Sequence, residues 1–314
     1  MDTLSTVTPV SFYNRKTLII TSLISVGYLL LSALLVGFKT DQLVLVGIFN
    51  SLFYISKGTR KFIIGFSIFI VYWILYDYMK AFPNYEFGKV HIASVYYAER
   101  NIFGIASSGG ILTPNEYWLA HSNAFLDVLC GLFYLCWIPL PLAFAAYLFY
   151  ANRVQFFHFM FIFLFVNLLG FVVYYTFPAA PPWYVQLHGF DLIPHTPGNT
   201  AGLARFDQFF QVSIFKGLYA KGSNVFAAMP SLHSAYPLIV LVFAWRTKST
   251  TFKILSTIVT AGIWFAAVYT SHHYILDVLA GILTAGVGIF LYHRVLCRRY
   301  FFISFLQYLY RHTT

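Results

Sequence analysis

Hydrophobic residues in this chain occur in long blocks separated by short polar or turn-rich stretches. A block of about 20 apolar residues has the length of a membrane-spanning helix. Such helices are predicted at residues 17–37, 42–56, 62–79, 124–150, 156–176, 229–247, 252–271 and 274–296. The second block is short for a span, so half of a re-entrant hairpin is its alternative. The pattern predicts an all-α, polytopic membrane bundle.

Two stretches between these blocks, residues 80–123 and 177–228, are too polar and too rich in turn residues to cross a membrane. The second contains three prolines within five residues, from Pro178 to Pro182. Proline does not continue a helix, and it also restricts the residue before it. Both stretches are therefore expected to be shaped loops outside the bilayer.

Composition supports a membrane protein. Hydrophobic residues make up 59% of the 314 residues and charged residues only 10%, whereas soluble domains carry about 25% charged residues. The net charge of +10 does not predict a nucleic-acid partner, because no basic block is interleaved with polar surface. No small-residue cleavage site follows the first block, which is therefore expected to be a retained helix rather than a signal peptide. The three cysteines show no metal-binding spacing and are expected to pack structurally.

Basic residues predict the orientation of the bundle. With the amino terminus inside, 13 of the 20 Lys and Arg residues fall in inner loops or the inner tail. These are Arg15, Lys16, Lys57, Arg60, Lys61, Arg153, Arg246, Lys248, Lys253, Arg294, Arg298, Arg299 and Arg311. An excess of positive charge inside is the rule for membrane proteins. The 177–228 loop is then predicted to lie outside, together with the starts of the sixth and eighth blocks.

Candidate chemistry lies at these outer boundaries, where His233, His273 and Asp277 occur. An ionisable side chain is costly at a membrane boundary unless it has a task. His273 and Asp277 are four residues apart, so on a helix they share one face, and the carboxylate would orient the imidazole. His233 is a candidate general acid. The three residues predict a phosphoryl-transfer site, and a proton-relaying transporter is the non-enzyme alternative.

Candidate phosphate contacts come from the outer loop. Ser231 is predicted to lie at a helix start, which favours an anion. Arg205 suits a phosphate clamp, because its guanidinium is planar, although a local pair with Asp207 is its alternative. Lys221 is a further candidate for attracting an anionic head group, with simple solvation as the other possibility.

Three further outer residues have two interpretations each. Trp183 and Tyr184 follow the prolines, and they form either an aromatic belt at the membrane interface or a rigid wall of a substrate site. His272 lies about 100° from His273 if the helix has already begun, so both rings cannot point at one phosphorus. Its alternatives are a substrate contact and a supporting role in the loop.

At these residues the chain resembles the type 2 phosphatidic acid phosphatase superfamily. The second signature, Pro-Ser-x-His, is met by Pro230 to His233, and the third ends in His-x-x-x-Asp, met by His273 to Asp277. Within the superfamily, residues 170–281 are similar to the inositol phosphorylceramide synthases of fungi and their bacterial relatives. The resemblance implies a six-helix core within residues 61–300, preceded by a transmembrane hairpin at 1–60 and followed by a cytoplasmic tail at 301–314.

The chain departs from the superfamily in two places. It contains no Arg-Pro dipeptide, so the first signature has no counterpart, and Ala267 occupies the position of the arginine that precedes the third-signature histidine. Both missing residues hold phosphate in the hydrolytic members. Arg205 and Lys221 are the local candidates to replace them.

The resemblance implies a function. His273 would attack the phosphorus of phosphatidylinositol to give a phosphohistidine, and His233 would protonate the departing diacylglycerol. Ceramide or dihydroceramide would then accept the phosphoinositol group, with no metal and no cofactor. A lipid phosphatase, or a transferase of another head group such as phosphoethanolamine or phosphocholine, fits the same three residues. Compact length favours a bacterial inner membrane with a periplasmic site over a Golgi enzyme with a luminal one.

Overall fold

The computed structural model describes residues 14–220, 222 and 224–313. It divides into two compact units, one of residues up to Ala81 together with those from Arg311, and one of Phe82–Tyr310. The first unit contains α1 (Arg15–Val36), α2 (Thr40–Ile55) and α3 (Lys57–Tyr78), which pack against one another. The Thr21 hydroxyl and the Tyr54 hydroxyl, 2.6 Å apart, join α1 to α2.

The second unit contains most of the helices and one small hairpin. The helices are α4 (Ala93–Phe103), α5 (Pro114–Ala120), α6 (Ala124–Leu135), α7 (Pro139–Ala151), α8 (Arg153–Thr176), α9 (Pro182–His188), α10 (Ala204–Phe210), α11 (Ile214–Tyr219), α12 (Leu232–Ala244), α13 (Thr250–Tyr269), α14 (Ile275–Arg294) and α15 (Tyr300–Thr313). Strands β1 (Ile105–Ser107) and β2 (Gly110–Leu112) pair antiparallel, with Ile105 opposite Leu112. The predicted all-α membrane bundle is confirmed, with this hairpin as its small addition.

Each predicted hydrophobic block contains helix, but their lengths differ. Among the described residues, five helices are long and apolar enough to cross a membrane: Arg15–Val36, Lys57–Ala81, Arg153–Thr176, Thr250–Tyr269 and Ile275–Arg298. The predicted 124–150 span is broken into α6 and α7, which meet at a bend of 41°. The bend falls before Pro139, which begins α7 at the position where a missing N–H has no cost.

The predicted span at 229–247 is shorter as a helix than as a hydrophobic block, because α12 has only 13 residues. α2, with 16 residues, is about as long as its predicted block and is also short for a span. At 1.5 Å per residue α12 is about 20 Å long, less than the roughly 30 Å hydrocarbon thickness. It begins only after Pro230, and it ends in tight turns in which the Arg246 N–H donates to the Phe243 carbonyl and that of Thr247 to Ala244.

α12 lies at the centre of the second unit, where it packs against α7, α8, α13 and α14. Most of its residues are buried, which matches an apolar sequence that has no polar face. Its amino-terminal end lies beside the first turn of α14, because the Ser231 N–H donates to the Asp277 carbonyl at 2.9 Å. The beginnings of two core helices therefore meet.

Main-chain hydrogen bonds between three segments outside the long helices fix the approach to α12. The His91 N–H donates to the Pro178 carbonyl, and the Ala180 N–H donates back to the His91 carbonyl. On the other side, Ala179 donates to Phe226, and Ala228 donates to Ala179. The proline-rich segment is thus the middle member of a three-segment arrangement that ends just before Ser231.

Candidate active site

His233 lies in the first turn of α12. The N-cap of this helix is Ser231, whose Oγ accepts the Ser234 N–H at 3.3 Å, and the Met229–Pro230 peptide bond before it is cis. Ser231 is fully buried. The predicted helix start at this motif is correct, and the Ser231 hydroxyl serves it as a cap.

His273 lies in the tight turn between α13 and α14, not on the helix. The N–H groups of His272 and His273 both donate to the Ala267 carbonyl, and Ser271 before them has φ of 60°. This left-handed conformation costs a non-glycine residue about 1–2 kcal/mol. The Trp183 N–H donates to the Ser271 carbonyl at 3.0 Å, and the Gln186 side chain donates to the Ser271 hydroxyl at 3.1 Å. These two residues of α9 therefore stabilise the turn.

Asp277 lies in the first turn of α14, which begins at Ile275. Its Oδ2 accepts the Tyr274 N–H at 2.9 Å, as an acidic residue does near a helix start. The expectation that His273 and Asp277 share a helical face is therefore wrong in its geometry. The turn before α14, rather than a helical repeat of four, brings the two side chains together.

The three predicted residues form one chain of side chains. His233 Nδ1 and His273 Nε2 are 2.9 Å apart, and His273 Nδ1 lies 3.6 Å from Asp277 Oδ2. The first distance is that of a hydrogen bond, while the second is longer than one. Asp277 Oδ1 and His273 Nδ1 are both buried with no hydrogen-bond partner among the residues that the structure describes. A small movement of either group would bring them into contact.

His273 is neutral at physiological pH. Burial lowers its pKa to about 4, an effect that the Ala228 carbonyl partly offsets. For Nε2 to act as a nucleophile it must be unprotonated, which would place the ring proton on Nδ1 facing Asp277. The hydrogen in the contact between the two histidines would then belong to His233 Nδ1. Such an arrangement can supply a nucleophile and a proton donor.

His272 belongs to the supporting structure. Its ring is stacked between Tyr219, with ring centroids 4.5 Å apart, and Tyr134, at 5.4 Å. Its Nε2 lies 3.0 Å from the Thr200 carbonyl and must carry the proton, because a carbonyl only accepts. Burial holds its pKa well below the usual value. Both ring faces are covered, so the geometry favours the loop role over a substrate contact.

Arg205 is paired with Asp127 and not with Asp207. Its Nε donates to Asp127 Oδ1 at 2.6 Å, and the Tyr269 hydroxyl donates to the same oxygen at 2.8 Å. Asp207 instead accepts the N–H groups of Phe215 and Lys216, so the predicted local pair is wrong. The Nη2 atom of Arg205 is buried and has no hydrogen-bond partner among the described residues.

Trp183 and Tyr184 are buried in a cluster with Ala180 and Phe226, so they do not form an exposed interfacial belt. The Tyr184 hydroxyl donates to the Asp191 carbonyl at 2.7 Å and accepts the Ile193 N–H at 2.8 Å. Their packing is that of a rigid wall.

The last of the predicted site residues, Lys221, lies outside the described residues. Sequence reasoning missed Glu99 and Asn115, two buried side chains bonded to the main chain around His273. It also missed Asp127, since nothing in the sequence links it to Arg205. Among the described residues, no group of three His, Cys, Asp or Glu side chains is arranged to hold a metal ion.

Comparison with known proteins places this site in a family. The sequence model of the PAP2 superfamily matches residues 110–291. The chain is 42% identical to the phosphoinositol dihydroceramide synthase of Bacteroides thetaiotaomicron over 90% of its own length and 94% of that protein. It is 30% identical to the inositol phosphorylceramide synthase catalytic subunit AUR1 of Saccharomyces cerevisiae over 74% of this chain and 59% of that protein.

The inositol phosphorylceramide synthase of Candida albicans is 32% identical over 51% of this chain, which spans 36% of that protein. No solved structure matches the chain. The family match covers both histidine motifs, and the helix starts that carry them meet in the structure. The chain belongs to the PAP2 superfamily.

Proposed function

We propose that this chain transfers phosphoinositol from phosphatidylinositol to the primary hydroxyl of ceramide or dihydroceramide, releasing diacylglycerol. The observation that carries the proposal is the 42% identity to a phosphoinositol dihydroceramide synthase over nearly the full length of both chains. The contact between His233 and His273 supplies the chemistry that such a transfer needs.

In the first half-reaction, His273 Nε2 attacks the phosphorus of phosphatidylinositol. The phosphorus–oxygen bond to diacylglycerol breaks, and His233, which the negative charge of the bound phosphodiester keeps protonated on both ring nitrogens, gives its Nδ1 proton to the leaving oxygen and becomes a neutral imidazole. A phosphohistidine carrying inositol remains. Asp277, close to Nδ1 of the same ring, stabilises the positive charge that develops there.

In the second half-reaction, the primary hydroxyl of ceramide attacks the same phosphorus. His233, now without its proton, takes the hydroxyl proton, and the bond from phosphorus to His273 breaks. Inositol phosphorylceramide leaves, and both histidines return to their first protonation states. The same residue acts as acid and then as base, as microscopic reversibility requires.

The 2.9 Å contact between the rings sets a condition on this mechanism. A reacting phosphorus must lie about 3–3.5 Å from Nε2, so His233 has to turn aside when phosphate enters. Trp137 packs edge-on against the His233 ring at 4.3 Å and limits the directions in which it can turn.

Phosphate contacts in this proposal come from three places. The start of α12 around Ser231 carries the partial positive charge of a helix terminus. Arg205 keeps Nη2 available while Asp127 orients its guanidinium. Lys221 stays a candidate on its sequence position alone. Trp183 and Tyr184 serve as the wall that excludes water from the phosphohistidine.

The candidate membrane spans make this chain a multi-pass membrane protein. We infer that the site faces away from the cytoplasm, in the periplasm of a bacterial inner membrane. To test this, cysteines placed at the exposed residues Gln208 and Thr250 in a chain without native thiols are treated with an impermeant thiol reagent on intact cells. Labelling at 208 and none at 250 is expected, and the reverse would put the chemistry inside.

The activity is tested with purified protein and phosphatidylinositol labelled in its head group, with and without ceramide. Diacylglycerol and inositol phosphorylceramide should form in equal amounts and only with ceramide, and the His273→Ala variant should form neither. Free inositol phosphate released equally fast without ceramide would make the chain a hydrolase. Turnover only with another phospholipid donor would reassign the head group.

A further inference from the structure

Two buried polar side chains from the outer segment before α6 hold the main chain on either side of His273. Glu99 lies on α4 and Asn115 on α5, and neither has any exposed surface. Their hydrogen bonds go to the main chain of the turn that contains His273 and of the two helices beside it, α13 and α14. No step of the proposed chemistry uses them.

Glu99 caps α14 from a distant part of the chain. Its Oε1 accepts the Ile275 N–H at 2.9 Å and its Oε2 accepts the Leu276 N–H at 3.1 Å. The first N–H groups of a helix need such acceptors, and the residue just before the helix usually supplies them. Here that residue is Tyr274, whose side chain makes no cap hydrogen bond. Glu99 therefore fixes where α14 begins, two residues after His273.

Asn115 fixes the other side of the same turn. Its Nδ2 donates to the Val268 carbonyl at 2.8 Å and to the His273 carbonyl at 2.9 Å. One side chain thus ties the end of α13 to His273 itself. With Glu99 bonded to the N–H groups of Ile275 and Leu276, the main chain is fixed on both sides of His273.

We infer that Glu99 and Asn115 are positioning residues for phosphoryl transfer, which fix the direction of His273 Nε2 and, through the Glu99 charge, strengthen it as a nucleophile. This inference rests on the proposed function. Glu99 lies before the residues that the PAP2 superfamily model matches, so this contribution is additional to the matched motifs.

The proposed effect of the Glu99 charge on His273 is supported by the cost of burying a carboxylate. A buried ionised group loses several kcal/mol of solvation, whereas a serine or asparagine just before the helix would cap it without that cost. Burial, together with the smaller effect of the nearby Asp277, raises the pKa of Glu99 to about 7, against the opposing effect of the two N–H donors. Once ionised, Glu99 adds negative charge at the start of α14, two residues after His273.

Other charged and titratable groups surround this position. They are Tyr96 and Arg100 on α4, Glu116 on α5, and Tyr274 and Asp277 at the start of α14. Glu116 is the useful control among them, because its Oε2 caps its own helix through the Thr113 N–H at 2.7 Å, and its Oε1 accepts the Tyr96 hydroxyl. Changing Glu116 to Gln makes the same chemical alteration without touching the Ile275 and Leu276 N–H groups.

The first experiment compares steady-state rates of the purified wild type with Glu99→Gln, Asn115→Ala and Glu116→Gln. Loss of a positioning contact should lower kcat for diacylglycerol release at least about 10-fold in the first two variants, with KM for phosphatidylinositol changed much less. Glu116→Gln should stay within about 3-fold of wild type. Wild-type kcat in Glu99→Gln, or equal losses in all three variants, would overturn the inference.

The second experiment needs no lipid substrate. The rate at which diethyl pyrocarbonate acylates His273 is followed by mass spectrometry from pH 5.5 to 8.5. His273 is neutral throughout this range because its pKa is about 4, so a rise in rate near pH 7 reports another group. The rise should be present in wild type and Glu116→Gln and absent in Glu99→Gln. If Glu99→Gln does not fold, Glu99→Asp replaces it, and its rise should move in pH.

The two experiments separate the possible failures. A wild type that transfers no phosphoinositol would contradict the proposed function, while the acylation profile still decides the role of Glu99. A rise near pH 7 that persists in Glu99→Gln, or stays at its pH in Glu99→Asp, overturns the role of Glu99 whatever the lipid assay shows.

Discussion

Replacing Gly281 with alanine should disable the site without touching a catalytic side chain. A Cβ atom at position 281 would collide with the carbonyl oxygen of Ser231, because the backbones of α14 and α12 are closely packed there. The oxygen cannot move aside alone. It accepts the Ser234 N–H at 3.1 Å and the Ala235 N–H at 3.2 Å, and the Ser231 N–H is bonded to Asp277.

The size of the expected loss in activity follows from how far α12 and α14 must move apart. Ordinary contact would require the two helix starts to separate by about 1 Å, and a misplacement of that size costs about 100-fold in rate. The separation acts directly on the distance of 2.9 Å between His233 and His273, since one follows Ser231 and the other precedes Asp277. Overpacking a core costs about 1–3 kcal/mol, more than the roughly 1 kcal/mol that alanine gains over glycine inside a helix.

Gly286 provides the matched control on the same helix. A Cβ atom there meets nothing within 4 Å, so Gly286→Ala should keep wild-type activity and an unchanged or slightly higher Tm. The assay measures diacylglycerol release and thermal unfolding of both variants in the same detergent. More than half of wild-type activity in Gly281→Ala would refute the reasoning, as would an equal loss in both variants.

Three further changes test the site. The His233→Ala and His273→Ala variants should each lose essentially all turnover, and the double variant should lose hardly more, because the residues act as one unit. Asp277→Asn should retain more activity than His273→Ala. The amount of labelled inositol phosphorylceramide formed by each variant tests both expectations. Ser271→Gly should raise the Tm, since glycine removes a left-handed strain of about 1 kcal/mol, and a lowered Tm would show that the Gln186–Ser271 hydrogen bond is worth more than the strain. Trp183→Ala should increase the share of phosphatidylinositol lost as free inositol phosphate by loosening the buried wall, and an unchanged share would separate Trp183 from water exclusion.

Hydropathy predicted the helices well because burial in lipid and burial in a protein core select the same side chains. For the same reason it did not reveal the bend between α6 and α7. The residues around Cys136 are as apolar as their neighbours, and only Pro139 marks the break. The short length of α12 was hidden in the same way, because apolar residues beyond its ends extend the hydrophobic block.

The three residues that the sequence singled out lie together in the structure, but their geometry was predicted only in part. Spacing alone placed His273 on the helix with Asp277, whereas the chain turns at Ser271 and α14 begins two residues after the histidine. Partners that are distant in sequence gave no local signal. Asp127 pairs with Arg205 across 78 positions, and Glu99 caps α14 across 176.

We propose that the start of α12 takes over part of the phosphate binding that the resemblance assigns to the missing arginines of hydrolytic relatives. The partial positive charge at a helix terminus amounts to about half an elementary charge, and it decays within one turn. His233 lies within the first turn of α12 and Asp277 within that of α14, and the Ser231 N–H to Asp277 carbonyl bond keeps these turns together. The first turn of α12 carries no acidic residue, so its partial positive charge remains to favour a phosphate, whereas Asp277 and Glu99 offset that of α14. Because backbone dipoles do not change with side chains, substitution of Arg205 should weaken donor binding without abolishing transfer, whereas displacement of either helix start should abolish it.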